Sequence, residues 1–276
     1  NVLARQILSD MLIGENKLDE ALEQLKAMEA AEEDPTDIRY KMALIYLEKQ
    51  EYQEAARELN LVLAQDPENA NAHYYLASAY AATGQRLKAI EQALNIKAGQ
   101  VMFVQSRVLA ALLLRQEQEV ERAEELLREA LLEKPDNQQL RTSLVLLLRE
   151  QRKFDQAEQE LKGALEQNPD DEVLLFNYAL VTHELEKEDR AMELMEKVVE
   201  INPQNVDALN FVAYSLAEQG GNLERAQDLI EQALKIKPDD AYFIDTLGWI
   251  YYQKKEFQEA KKTLARAVQI VDDNIV

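Results

Sequence analysis

Apolar residues along this chain fall three and four apart, in short blocks broken by one or two polar residues. Between 138 and 171, Leu144, Leu147 and Leu148 form one stripe and Arg152-Lys153 interrupts it. Phe154, Ala157, Leu161, Ala164 and Leu165 then form a second stripe. Such spacing gathers side chains on one face of a helix, whereas a strand would alternate. The pattern therefore predicts pairs of short amphipathic helices, and the pairs recur. Ala21, Ala55, Ala89, Ala123, Ala157 and Ala191 stand 34 residues apart; Ala226 follows after 35 and Ala260 after 34. Pro67, Pro135, Pro169, Pro203 and Pro238 keep the same beat, with the extra residue placed at Gly220-Gly221. Pro35 is displaced by two, and the slot near Val101 carries a break at Ala98-Gly99 instead.

A fixed period of this length is the signature of a repeat array. The expected units are 2–35, 36–69, 70–103, 104–137, 138–171, 172–205, 206–240 and 241–274, which leave nothing over for a second domain in 1–276. Within a unit, proline at position 32 cannot continue a helix, because it lacks an N–H and crowds the carbonyl four residues back. The polar residues after it, as in Pro135-Asp136-Asn137 and Pro169-Asp170-Asp171, suit the cap of the next helix. Position 8 is small in nearly every unit (Ser9, Ala43, Ala77, Ala111, Ala179, Ala213, Gly248; Val145 excepted), which lets two antiparallel helices approach closely.

These residues resemble the tetratricopeptide repeat family over essentially the whole chain. Unit 241–274 carries its pattern in Ile244, Leu247-Gly248, Tyr251, Phe257, Ala260 and Ala267, with Asp272 in place of the proline. Arg39, Arg107 and Arg141 depart from it at position 4, normally apolar, and only their stems are expected to be buried. The resemblance implies an all-α, right-handed superhelical solenoid of about eight helix-turn-helix repeats, or sixteen helices, with an inner groove lined by the first helix of each unit. It implies groove side chains at positions 2, 5, 9, 12 and 13. The last repeats, around Ala208–Ala217 and Asp245–Tyr252, further resemble bacterial envelope and lipoprotein-type tetratricopeptide adaptors. On that resemblance alone, a bacterial protein of the cytoplasm or periplasm is expected. The last helix, read as Phe257 to Val271, leaves an apolar outer face, so either the native chain continues or this end pairs with something.

Composition narrows the chemistry. With 52 acidic against 31 basic residues the net charge is −21, which repels phosphate backbones, and no basic block offsets it. Cysteine is absent, which removes disulfides and thiolate metal sites. No apolar run approaches the ~18–20 residues that span a bilayer. Asn1 opens the sequence within a helical pattern, without a signal-peptide pattern, and reads as the start of a processed or trimmed piece. Two histidines, His73 and His183, lie three units apart, and no glycine-rich phosphate loop exists, so no catalytic, cofactor or metal constellation is expected.

The groove positions inform more. Tyr40, Tyr74, Phe176, Tyr214, Tyr242, Trp249 and Tyr252 fall there, with Arg115 and Arg149 at the same position of successive units. Tyrosine and tryptophan offer large contact area with a polar tip, and a repeated arginine suits a carboxylate. The competing expectations are that Tyr40 and Tyr74 pack between helices and that the arginines pair with Glu117 or Glu150, whereas Trp249, Tyr252 and Tyr242, on one strip of a single helix, are expected to be exposed. The lysine, asparagine and arginine set by which some family members clamp a carboxylate is missing from every run of three units. The reading that follows is a non-catalytic scaffold or adaptor holding a peptide or domain of another protein in its groove. Its rivals are self-assembly through the exposed last helix, and a targeting arm for activity that lies outside 1–276.

Overall fold

The computed structural model describes residues 2–275, and the described residues are helical throughout, with no strand. They group into two compact units. Unit 1, Asn1–Leu147, contains α1 (Val2–Gly14), α2 (Leu18–Glu29), α3 (Thr36–Glu48), α4 (Tyr52–Gln65), α5 (Ala70–Ala82), α6 (Arg86–Leu94), α7 (Phe103–Gln116), α8 (Val120–Glu133) and the larger part of α9 (Gln138–Glu150). Unit 2, Leu148–Val276, contains the end of α9 and then α10 (Phe154–Gln167), α11 (Glu172–Glu184), α12 (Glu188–Ile201), α13 (Val206–Glu218), α14 (Leu223–Ile236), α15 (Ala241–Gln253) and α16 (Phe257–Ile275).

Each 34-residue period thus holds a first and a second helix, and the turn between them is the same throughout. Position 15 takes a left-handed backbone in every repeat: Asn16, Gln50, Gly84, Gln118, Arg152, Glu186, Gly220 and Lys255 all have positive φ. The next N–H then donates to a carbonyl five residues back, as from Lys17 to Leu12 (2.8 Å), Glu51 to Tyr46 (2.8 Å) and Glu256 to Tyr251 (2.9 Å). This closes the carbonyls left over at a helix C-terminus. Six of the eight residues are not glycine. At the other junction, Asn137 and Asp171 accept from the amides of Leu140 and Leu174 at 3.0 Å, the caps expected from the residues after proline.

Small residues allow the close approach. A β-carbon on Gly248 would stand 2.6 Å from Leu264 Cγ, so α15 and α16 meet at a point where only hydrogen fits without a shift. Apolar residues of positions 3, 7, 24 and 27 join successive repeats, as Ala72 and Leu76 do with Leu59 and Val62. The first helices also touch one another (α3 with α5, α5 with α7, α13 with α15), and no comparable packing joins second helices such as α4 and α6 or α12 and α14. Within each unit, then, first helices sit on the more tightly curved, concave side.

Two expectations need correction. One arginine at position 4 buries more than its stem: Arg107 donates to the carbonyls of Ala93 (2.9 Å) and Ile96 (2.7 Å), with its guanidinium 4.6 Å from the Phe103 ring centroid. Burial lowers its pKa from the ordinary arginine value. The reason is local, because α6 stops at Leu94 and the following segment, with Gly99 and Met102 at positive φ, leaves carbonyls that this side chain fills. Arg39 pairs with Glu29 at 2.9 Å, and Arg141 donates to the Pro135 carbonyl. The last helix also runs on to Ile275, since Asp272 stands where proline would have ended it; Val276 lies outside the described residues.

Candidate binding groove

The concave strip of unit 1 is built by α3, α5 and α7. Tyr40 and Tyr74 occupy position 5, half-buried, on either side of Tyr75, with ring centroids 6.2 and 5.6 Å from it. Burial, with Tyr75 adding to it, pushes the Tyr40 hydroxyl above its ordinary pKa. Three rings close on one another leave little edge for a ligand. Further along, Arg115 borders a shallow pocket of about 140 Å³ with Val108, Leu112, Ser143 and Leu146. Glu117 is engaged by Arg86 at 3.0 Å. His73 is buried, with its ring nitrogens 2.8 Å from Gln92 Oε1 and 3.0 Å from the Pro67 carbonyl, a packing role.

Unit 2 presents a different strip, from α11, α13 and α15. Phe176 is half-buried on α11. His183, exposed on the same helix, sets its ring edge-on to Phe211 of α13 at 5.5 Å and bonds Glu188 at 2.9 Å. From α15, Gln253 donates to the Ala217 carbonyl of α13 at 3.1 Å, which ties the two first helices together. Trp249 stacks on Tyr252 (centroids 5.5 Å, planes 14° apart), and Tyr252 meets Phe257 edge-on at 5.7 Å. Tyr242 is 81% exposed, Tyr252 50% and Tyr214 43%, whereas Trp249 is half-buried. Arg149 belongs to this unit, and its Nε is buried without a hydrogen-bond partner.

The acid-base character of the strip is one-sided. Tyr214 donates to Glu218 Oε1 at 3.4 Å. Burial first, then the charges of Glu218 and Asp245, hold its hydroxyl above the ordinary tyrosine value. Two polar atoms in the strip, Asn210 Oδ1 and Trp249 Nε1, are shut off from solvent and have no partner. An acceptor and a donor left in that state are costly, on the order of 1–3 kcal/mol each, unless something supplies their bonds.

Sequence reasoning thus placed all seven aromatics on first helices, weighed packing for Tyr40 and Tyr74, which are half-buried, and expected exposure for Trp249, Tyr242 and Tyr252, of which Trp249 is instead half-buried. Asn210 fell at a groove position without a role, its only signal a polar residue at a position filled by tyrosine or phenylalanine in three other units. Among the described residues no three histidine, aspartate or glutamate side chains gather as a metal site, and no helix is long and apolar enough to cross a membrane.

Comparison with known proteins gives a consistent answer. A family model described as tetratricopeptide repeat matches residues 114–175, 183–244 and 217–275, and a second, described as TPR repeat, matches 43–84. A TPR repeat-containing protein of Pseudomonas aeruginosa is 36% identical over 72 residues, which is 26% of this chain and 12% of that protein's length. Among solved structures, a tetratricopeptide repeat protein from Parabacteroides merdae aligns over 90% of this chain and 98% of its own (TM-score 0.58, 19% identity). The C-terminal part of a TPR repeat-containing protein from Cytophaga hutchinsonii aligns over 87% and 98% (TM-score 0.66, 16% identity). The Cut9–Hcn1 hetero-tetramer structure of the APC/C aligns over 96% of this chain and 52% of the matched one (TM-score 0.58, 14% identity). At these identities the structural likeness is one of fold.

Proposed function

Because this chain belongs to the tetratricopeptide repeat family, whose fold generally mediates protein–protein interaction and is typically non-catalytic, we propose that it is a scaffold whose unit 2 strip holds an extended segment of another protein. The observation that carries this reading is the set of exposed rings, Tyr214, Tyr242 and Tyr252, presented by the first helices α13 and α15. Exposed tyrosines beside a half-buried tryptophan form the kind of surface that anchors a ligand, and Tyr252 is already held between Trp249 and Phe257. In this reading the expected groove residues divide. Tyr242, Tyr252, Tyr214 and Trp249 touch the ligand, Phe176 borders it, Tyr40 and Tyr74 hold unit 1 together, and Arg115 and Arg149 lie outside it.

The test is capture from a lysate of the source organism by the wild-type chain and by Tyr242→Ala with Tyr252→Ala, read by mass spectrometry. The reading expects a protein enriched by the wild type and lost from the variant, whose helical circular dichroism is unchanged. Identical recovery by both chains would overturn it.

A second reading, association through an end helix, has its own observation. In α1, Leu8 and Met11 are 43% and 58% exposed at positions 7 and 10, where Met42, Leu76, Ile45 and Leu113 are all buried. Light scattering on size-fractionated chain tests it. A single monomeric mass across concentrations removes this reading and leaves the first intact.

A further inference from the structure

We propose that the segment taken by the α11–α13–α15 strip is basic, an extended stretch of a partner protein bearing arginine or lysine. This rests on the reading of the strip as a docking groove and adds the chemistry of what docks.

Unit 2 uses its own cations on other faces. Lys187 bonds Glu158 (2.9 Å), Arg225 bonds Glu196 (2.7 Å) and Lys197 bonds Asp170 (2.7 Å), each joining one repeat to the next. Rings elsewhere in the unit are also covered by cations, with Arg190 5.6 Å from the Tyr178 centroid and Lys237 5.7 Å from that of Phe243. The groove positions of α11, α13 and α15 carry no lysine or arginine, but they do carry Glu184, Asp207, Glu218 and Asp245. None of these four has an ion-pair partner among the described residues. Asp207 lies in the first turn of α13, where the helix dipole already favours it, so the weight falls on Glu218 and Asp245.

Glu218 accepts from Tyr214 at 3.4 Å, and Asp245 is exposed at a groove position of the neighbouring first helix. Exposed acids on one strip, with no cation supplied by the chain, favour a ligand that brings one. Exposed rings stand beside them, Tyr242 and Tyr252, with Trp249 stacked on the latter. A guanidinium fits this set in two ways. It pairs with carboxylates through its five donors, and it lies over an aromatic face. An acidic segment would meet two carboxylates without any compensating cation, so the strip selects by charge sign as well as by shape.

The experiment measures fluorescence polarisation with two labelled twelve-residue peptides of glycine and leucine, one with arginine at every third position and the other with glutamate there. The wild-type chain is compared with Glu218→Gln/Asp245→Asn, with Glu121→Gln/Glu125→Gln on α8 as the control for general attraction to an acidic protein, and with Tyr242→Ala/Tyr252→Ala. The arginine peptide is expected to bind the wild type and the α8 control alike, and to bind the groove charge variant about fivefold to tenfold more weakly. Raising the salt to 0.5 M should shrink that difference, since exposed charge pairs are screened. Equal weakening by both charge variants, equal binding of the two peptides, or no binding of the arginine peptide would each overturn the proposal. The aromatic variant separates the two readings. A partner captured by the wild type, lost with Tyr242→Ala/Tyr252→Ala, yet kept by Glu218→Gln/Asp245→Asn leaves the groove standing and removes only its preference for a basic segment.

Discussion

Tyr40 and Tyr74 in unit 1 and Tyr214, Tyr242 and Tyr252 in unit 2 all project from first helices, yet only the second group meets solvent freely. The difference follows from register. Position 5 points into the seam between neighbouring first helices, so a ring there is half-covered whichever unit carries it, as with Tyr40, Tyr74 and Phe176. Tyr242, Tyr214 and Tyr252 sit at positions 2, 9 and 12 and are exposed, whereas Trp249, also at position 9, is half-buried. One residue type therefore serves as mortar in one unit and as contact surface in the other, and repeat position together with local neighbours decides which.

Substitution of rings should break or sustain this distinction most visibly. Tyr75→Ala opens the three-ring cluster of unit 1 and is expected to cost about 2 kcal/mol, less than a fully buried ring because its neighbours are half-exposed. Tyr242→Ala is expected to cost under about 0.5 kcal/mol, as for other surface changes. Urea unfolding followed by circular dichroism compares them, and equal losses would contradict the assignment by register.

A smaller effect sharpens the contrast between paired and unpaired acids within unit 2. Burial raises the Glu158 carboxyl, but its bonds with Lys187 and Lys162 outweigh burial and hold it below the ordinary value of 4.5. A carboxyl depressed by folding contributes stability in full above its unfolded pKa and loses it as pH falls through the folded one. Glu158→Gln should therefore cost about 1 kcal/mol at pH 7, and the gap from wild type should close as pH falls below 4.5. Asp245→Asn, which removes a charge without an ion pair, should cost nothing at pH 7. Thermal melts across pH check both.

The smallest expected effect concerns what the two units share. Gln50 in unit 1 and Glu186 in unit 2 hold the same left-handed turn. Replacing either by glycine relieves the clash of a β-carbon there but frees the unfolded chain, for a net gain of about 0.5 kcal/mol. Similar gains at both sites would show that the units differ in side chains and agree in backbone. A gain at one site alone would break that equivalence.

The fold was legible because its determinants are periodic: alanine at position 20, small residues at position 8 and proline at position 32 each repeat on one beat. The left-handed turn was not, since Asn16, Gln118, Arg152 and Lys255 share polarity and little else. What fixes that turn is the carbonyl closure around it, a property of the backbone rather than of any residue type. The candidate groove was legible by helix and position and only in part by exposure, with Trp249 expected at the surface and found half-buried, because whether a ring is covered depends on neighbours about 34 residues away. Arg107 was misread for a related reason: its partners are carbonyls that exist only because α6 ends early.

That early end has a consequence for proteases. The eight residues between α6 and α7, 95–102, form the longest connection between a second helix and the next first helix, and Lys97, Ala98, Gly99 and Val101 are all exposed. Exposed connections of this kind are nicked first, so brief trypsin treatment should cut after Lys97 and yield 1–97 and 98–276 on a denaturing gel. Yet α5 and α6 pack on α7, and Arg107 bonds back to Ala93 and Ile96 across the cut. The two pieces should therefore elute together on native gel filtration. At this junction the peptide bond is the weaker link to digestion, and the side chains are what would keep the halves in register once it is gone.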